Sequence, residues 1–446
     1  MTPTAIIVLA AGRGTRMRSG LPKVLHRVAG RSMLGHVLSA AGELEPRRAV
    51  VVTGPDMPAV EREARRFMPV AQFAVQPQQK GTAHAAGFAR DELAGFEGVT
   101  LVLYGDVPLV RAGTLQRLAR EVSADAPLVI LAFEADDPKG YGRLILDAGG
   151  PVRAIREEKD ACDEEKRITL CNSGIIAIDN ALLWELLPEI GNANAQGEYY
   201  LTDIVELAAQ AGREVRHVRC DEPEVLGVND RAQLAVAERL MQRRLRARAL
   251  ANGVTLIDPD SVFLSADTEI APDVLIEPWV FIGPGVSIAE GAVIRAHSHL
   301  EEASVGPRAQ VGPFARLRPG AEIRETAKVG NFVEVKKAVI EEGAKVNHFT
   351  YIGDARVGAG ANIGAGTITC NYDGANKHFT DIGKGAFIGS NSALVAPVRI
   401  GEGAYVGSGS VITKDVAPGA LAVARGRQVE KPGWAARRKA KAGTQD

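Results

Sequence analysis

The sequence predicts an α/β domain, then a linker helix, then an all-β prism built from hexapeptide repeats. Three observations predict it. Short, wholly apolar runs alternate with helical patterns up to about residue 228; residues 229–250 hold neither Pro nor Gly; and beyond them an apolar residue returns at every sixth position.

In the first part the apolar runs are Ile6–Leu9, Val50–Val52, Thr100–Leu103 and Leu128–Leu131. Helix candidates are Ser32–Ala41, Gln116–Val122 and Leu182–Leu187. Brief apolar strands separated by helices argue for a parallel sheet covered on both faces. Residues 229–250 are rich in Ala, Leu, Arg, Gln and Glu, a helix by propensity that Asn252-Gly253 closes. The expected division is 1–228, a linker helix over 229–250, and 251–446.

The six-residue beat runs Ile270, Ile276, Ile282, Ile288, Ile294, resumes at Val305, Val311, Leu317, Ile323, Val329 and Val335, and continues at Val346 and Ile352. It shifts by one to Val357, reaches Ile363, and after a break runs Ile382, Ile388, Leu394, Ile400, Val406, Ile412. One short strand plus one tight turn fits six residues, with the apolar side chain pointing into a narrow prism and stacked coils burying the column. An ordinary β-sandwich would not keep the beat for so long. The break, Thr369 to Phe379, is polar and fits no hexapeptide; a loop ejected from a rigid prism is a good place for function.

Composition narrows the classes. Lys plus Arg (53) nearly balances Asp plus Glu (54), so no global basic field points to nucleic acid. The basic tail Arg437-Arg438-Lys439-Ala440-Lys441 is a local exception. Cys162, Cys171, Cys220 and Cys370 form neither a disulfide frame nor a zinc pattern, which suits a reducing, cytoplasmic setting. The apolar run Ala5 to Ala11 reads as a buried strand rather than a signal peptide, and no run is long enough to insert in a membrane.

The strand Ile6–Leu9 feeds Ala10-Ala11-Gly12-Arg13-Gly14-Thr15-Arg16-Met17. Small residues let backbone amides approach phosphate oxygens, and Arg16 and Lys23 add charge for a triphosphate. The spacing is neither that of a dinucleotide fingerprint nor that of a P-loop. Asp106, in Tyr104-Gly105-Asp106-Val107-Pro108-Leu109, follows a third strand, where α/β sheets bind ligands and where a carboxylate suits Mg²⁺. A turn-capping Asp is the plain alternative.

These motifs, with Pro22-Lys23-Val24-Leu25 and Gly81-Thr82-Ala83-His84-Ala85, resemble the sugar-nucleotide pyrophosphorylases. Joined to a hexapeptide half, the chain resembles, over about residues 5–434, the bifunctional N-acetylglucosamine-1-phosphate uridyltransferase and glucosamine-1-phosphate acetyltransferase family. The resemblance implies a Rossmann-like nucleotidyltransferase domain, a left-handed parallel β-helix (a hand the period alone does not give) and a homotrimer. It implies UTP, acetyl-CoA, glucosamine-1-phosphate and N-acetylglucosamine-1-phosphate as substrates. In the first domain it puts Leu9, Ala10, Ala11, Gly12, Arg16 and Lys23 on the phosphates, and Gln76, Gly81 and Thr82 on uracil. Tyr104 and Gly105 fall on the substrate, Asp106 and Asn229 on Mg²⁺, and Gly142, Glu157, Asn172, Tyr200 and Thr202 on the sugar. No protein base is needed there, because a phosphate monoester is already a nucleophile. The work is charge neutralisation and alignment.

In the second domain it implies His348 as general base, with Glu334 able to orient the imidazole. Arg318 and Lys336 fall on the sugar phosphate, Tyr351, Asn362 and Lys377 on further sugar contacts, and Asn371 and Tyr372 on the amine and acetyl group. Acetyl-CoA lies along Ala365, Ser390, Ser408 and Arg425, with a backbone N–H or the Ser390 hydroxyl as the oxyanion donor. Cys370 is given no role. Arg13 and Lys80 depart from the family pattern without removing chemistry. Two other readings are weighed: a nucleotidyltransferase whose prism is only structural, and a non-catalytic relative. The first would not need the His348, Asn371-Tyr372 and Arg318/Lys336 set, and the second would be expected to lose Lys23 or Asp106.

Overall fold

The computed structural model describes residues 2–442. Two compact units divide between Arg244 and Leu245. That division falls inside the helix Arg231–Ala251, later in the chain than residue 228.

The first unit is a sheet with strand order Val215–Cys220, Leu128–Glu134, Leu170–Asp179, Val99–Tyr104, Thr4–Leu9, Arg48–Thr53, Gln72–Val75. All four anticipated strands form, each somewhat longer than its apolar run. The four strands from Val99–Tyr104 to Gln72–Val75 are parallel. The sheet as a whole is mixed, because Leu170–Asp179 runs antiparallel to both neighbours. That strand was not anticipated: its polar Asn172-Ser173-Gly174 interrupts the apolar run, and the pairing slips there between Asn172 and Ile176. The anticipated helices form as Met33–Gly42, with the Ser32 hydroxyl accepting from Gly35 N–H at 2.9 Å, Ala112–Glu121 and Asn180–Leu186, and Pro58–Phe67, Thr82–Gly87 and Asp203–Gln210 join them. Apolar cores lie on both faces of the sheet, one holding Ile6, Val8, Leu101 and Leu103, the other Ile7, Val50, Val102 and Ile130. The alternation along each strand produces the two layers.

The second unit is a parallel β-helix of short strands, each paired with the strand one coil on, the architecture of the left-handed hexapeptide prism. Every residue of the six-beat series is buried except Ile270, in one of the first coils, which is half-buried. Each such side chain contributes about 1.5–3 kcal/mol of burial, so the column is the main source of stability. Register explains the shift at Val357. Lys328 pairs with Lys345 and Lys345 with Asn362, so a coil here is 345 − 328 = 17 residues rather than three full hexapeptides. Asn362 then pairs with Phe387, a coil of 387 − 362 = 25 residues, and the excess is the ejected loop. Thr369 and Cys370 still belong to the strand Ile368–Cys370, so the loop starts two residues later than the broken beat suggests.

The basic segment Arg437 to Lys439 lies on the helix Trp434–Ala442, where Arg438 covers the Trp434 ring.

Candidate active sites in two units

In the first unit three predicted residues meet at one point. The Lys23 ammonium is ion-paired with Asp106 and donates to Asn229 Oδ1 at 3.0 Å. Both side chains of this ion pair are more than four-fifths buried. Chain entry sets this up: the Asp106 carbonyl accepts Val228 N–H at 2.9 Å, which brings Asn229 alongside, and Gln233 Oε1 accepts Asn229 N–H at 2.7 Å.

The glycine-rich turn lies against the same point. Gly14 has φ +63°, and a β-carbon there would overlap the Lys23 side chain. Leu9 ends its strand with its carbonyl bonded to Gly105 N–H at 3.0 Å. The reading of free loop amides needs one correction. Ala10 N–H is taken by the Val52 carbonyl at 2.8 Å, as parallel pairing continues one residue past the strand. The loop amides expected to face phosphate therefore start no earlier than Ala11, whose carbonyl accepts Gln79 Nε2 at 2.6 Å. Gly12 faces open space, and Arg16 is exposed on the one-turn helix Thr15–Met17.

Gln76 is buried and donates to the Gly81 carbonyl at 3.2 Å, with His84 Nδ1 at 3.0 Å. Gln76, Gly81 and Thr82 thus form one unit, with His84 a partner to which the motif assigned no role. Thr82 Oγ1 accepts Leu201 N–H at 2.9 Å. Gly81 has φ +115°, and a β-carbon would overlap the Tyr199 carbonyl. Gly81→Ala is therefore expected to displace the turn and raise KM for the nucleotide several-fold, with little change at the other unit's site; steady-state kinetics check it.

The sugar-side residues gather around Glu157. Thr202 Oγ1 donates to Glu157 Oε1 at 3.0 Å, and a β-carbon at Gly142 would lie 3.3 Å from that carboxylate. The Gly142 carbonyl accepts Asn172 N–H at 2.8 Å, while Asn172 Oδ1 accepts Gly174 N–H at 2.9 Å within the bulge. Burial pushes the Glu157 carboxyl up, against the pull of the Thr202 hydroxyl. Tyr200 is buried, its hydroxyl accepting from Gln196 at 2.7 Å. Tyr104 joins the clusters: burial raises its phenol, Thr82 hydrogen-bonds it, and Glu157 and Asp106 both act on it electrostatically. A β-carbon at Gly174 would lie 2.8 Å from its ring.

In the second unit His348 is exposed on a corner of the prism, one coil beyond Asn331. Its Nδ1 lies 2.7 Å from Asn331 Oδ1. Glu334 does not orient the imidazole, as the sequence suggested. Its carboxylate is held by Arg318 at 2.7 Å, with Arg316 at 4.0 Å, because strand register places Arg316 directly beside it. Asn331, to which the sequence assigned no role, sits one 17-residue coil before His348, a spacing that only the register discloses.

The same corner continues upward. Val346 pairs with Ile363, Ile363 with Ile388 and Ile388 with Val406, so His348, Ala365, Ser390 and Ser408 occupy equivalent positions on four successive coils. Strands stack about 4.8 Å apart, which makes a straight track along the prism. Arg425 closes it, donating to the Ser408 carbonyl at 2.7 Å.

Arg318 and Lys336 are neighbours in register, since Leu317 pairs with Val335. Tyr351 follows Glu334 in the same column. Asn371, buried, donates to the Tyr351 hydroxyl at 3.4 Å and to the Asp354 carboxylate, a further unanticipated residue. Asn362 instead lies on the preceding strand, between Lys345 and Phe387 in register. The loop is a tight hairpin: Tyr372 bridges to Lys377, whose ammonium lies 4.4 Å above the Tyr372 ring. Asp373 binds the Ala375 and Asn376 amides and His378 Nε2, which holds its carboxyl well below the usual range. Burial pushes the Cys370 thiol up, away from a nucleophilic thiolate.

Both units have counterparts among known proteins. The model for a MobA-like NTP transferase domain matches residues 6–167, and that for the bacterial transferase hexapeptide (six repeats) matches residues 379–414. The chain is 61% identical to the bifunctional protein GlmU of Parvibaculum lavamentivorans, over 96% of this chain and 95% of that protein. It is 55% identical to the bifunctional protein GlmU of Paramagnetospirillum magneticum, over 97% and 96%. Against that of Rhodospirillum rubrum identity is 54%, over 98% and 97%.

Proposed function

The chain belongs to the GlmU family of bifunctional proteins, and from that premise we propose how its residues divide two reactions. It is a bifunctional transferase that makes UDP-N-acetylglucosamine. Acetyl passes from acetyl-CoA to glucosamine-1-phosphate, and uridylyl then passes from UTP to N-acetylglucosamine-1-phosphate with release of pyrophosphate.

Uridylyl transfer is assigned to the first unit, which runs on to Arg244 and so includes Asn229. The observation that carries this is the convergence of Lys23, Asp106 and Asn229 beside the glycine-rich turn. A carboxylate and an amide oxygen already converge on a cation, the Lys23 ammonium, so the donor set fits Mg²⁺. When bound, that ion would be held by Asp106 and Asn229 and would neutralise phosphate charge. Lys23 and Arg16 bind the triphosphate, and Gln76, Gly81 and Thr82 hold uracil. Gly142, Glu157, Asn172 and Thr202 seat the sugar so that its phosphate oxygen faces the α-phosphorus in line. Alignment and charge supply the catalysis.

Acetyl transfer is assigned to the prism, which follows the helix Arg231–Ala251. His348 takes the amine proton, Arg318 and Lys336 hold the sugar phosphate, Tyr351 contacts the sugar, and Asn371 and Tyr372 place the amine. Ala365, Ser390, Ser408 and Arg425 carry acetyl-CoA along the track, with Asn362 and Lys377 as further sugar contacts.

A homotrimer is supported by an exposed ring ladder beside His348. His297, Phe314, Phe332 and Phe349 stack at 4.7, 5.1 and 5.2 Å, with Trp279 one coil before them. All five sit at positive φ, an unusual backbone for bulky residues, and their apolar area is what a neighbouring prism would cover. A cytoplasmic setting is supported by four unpaired cysteines. Among the described residues no helix is long and apolar enough to cross a membrane.

The test is one incubation of the chain with glucosamine-1-phosphate, acetyl-CoA, UTP and Mg²⁺, read by mass. UDP-N-acetylglucosamine, free CoA and pyrophosphate are expected together. UDP-glucosamine without acetylated product would leave the prism without its assigned reaction.

A further inference from the structure

We propose that Asn331 is a positioning residue for acetyl transfer, fixing His348 in the tautomer whose Nε2 lone pair accepts the amine proton. This rests on the reading of His348 as the base. The Asn331 side-chain carbonyl is 2.7 Å from His348 Nδ1. A carbonyl oxygen only accepts, so Nδ1 carries the hydrogen and Nε2 is left with its lone pair.

The contact is built into the prism rather than left to a mobile side chain. Asn331 and His348 are register partners on adjacent coils. Immediately before them, a β-carbon at Gly330 would overlap the Asn347 backbone, so glycine allows the two coils to close here. Immediately after them, Phe332 stacks on Phe349 at 5.2 Å. The pair is therefore bracketed on both sides along the chain. The nearby carboxylate, Glu334, is committed to Arg318. The imidazole thus receives its orientation from a neutral amide, which supplies direction without adding charge.

The experiment compares Asn331→Leu, which keeps bulk and removes the acceptor, with Asn331→Asp, which keeps an acceptor. Asn331→Leu is expected to lower kcat for acetyl transfer about 10–100-fold, the scale of losing an oxygen that orients a working histidine. KM for glucosamine-1-phosphate and acetyl-CoA should stay within about twofold. Asn331→Asp should restore most of kcat. Uridylyl transfer by the same preparations reports folding of the first unit, and an unchanged far-ultraviolet circular dichroism spectrum reports that of the prism. Ring ¹⁵N spectra of histidine-labelled wild-type protein, with His348 assigned by its loss in His348→Ala, should show the Nδ1–H form and a shift in Asn331→Leu. Wild-type kcat in Asn331→Leu, or an Nε2–H form in the wild type, overturns the proposal. Retention of acetyl transfer by His348→Ala would instead remove the base reading itself, a separate outcome of the same series. The wild-type spectrum decides the tautomer even if Asn331→Leu fails to fold.

Discussion

His348→Ala should abolish measurable acetyl transfer while uridylyl transfer continues at nearly the wild-type rate. The amine of glucosamine-1-phosphate must lose a proton as it attacks the thioester carbonyl. A positioned base at that step is worth about 10²–10⁴-fold. His348 is exposed at the head of a track formed by Ala365, Ser390 and Ser408 on the next three coils. A base there meets an acyl donor lying along the prism. The imidazole is not part of the apolar column, so its removal opens no cavity, and stability should change little. CoA release, followed with a thiol reagent, measures the first activity. Pyrophosphate release from UTP and N-acetylglucosamine-1-phosphate measures the second. Loss of both in a folded protein would mean that the two sites are not independent.

How far the sequence discloses this arrangement depends on the physics behind each signal. The prism was legible because one constraint, an apolar residue at each turn, is repeated until accident is excluded; nearly every named position is buried. The parallel strands around Ile6–Leu9 were legible because burial on both faces demands continuous apolar runs. The antiparallel strand Leu170–Asp179 was not, since its bulge puts Asn172, Ser173 and Gly174 where apolar residues would announce it. At the sites, groups fixed by local motifs were readable: Lys23, Asp106 and the Gly81-Thr82 turn. Partnerships across coils were not. Glu334 looks available to His348 when the chain is written as a line, yet register assigns it to Arg316 and Arg318. Asn331 and Asp354 act only through neighbours one coil away, and a six-residue beat read along the chain does not show that a coil is 17 residues.

Asp106→Asn is expected to give the opposite phenotype, with uridylyl transfer falling about 10²–10³-fold, the scale of removing one preorganised electrostatic contact, and acetyl transfer unaffected. Asparagine keeps the size of the side chain and one acceptor oxygen, so it can still meet Lys23. What it loses is the charge. In the resting site that carboxylate restrains the Lys23 ammonium, with Asn229 as second acceptor. On the proposed assignment that ammonium would serve the triphosphate, and Asp106 and Asn229 would hold Mg²⁺. Two roles for Asp106 therefore predict different kinetics. If its oxygens hold Mg²⁺, the variant's rate should climb with Mg²⁺ concentration far beyond the wild-type saturation point. If it serves only to restrain Lys23, Mg²⁺ dependence should stay as in the wild type and KM for UTP alone should change. The first pattern is expected, because two oxygen donors converging on one cation form a site for charge, and a single lysine tether would not require Asn229. Unchanged Mg²⁺ dependence with full kcat would remove Asp106 from the metal site, and Asn229 with it.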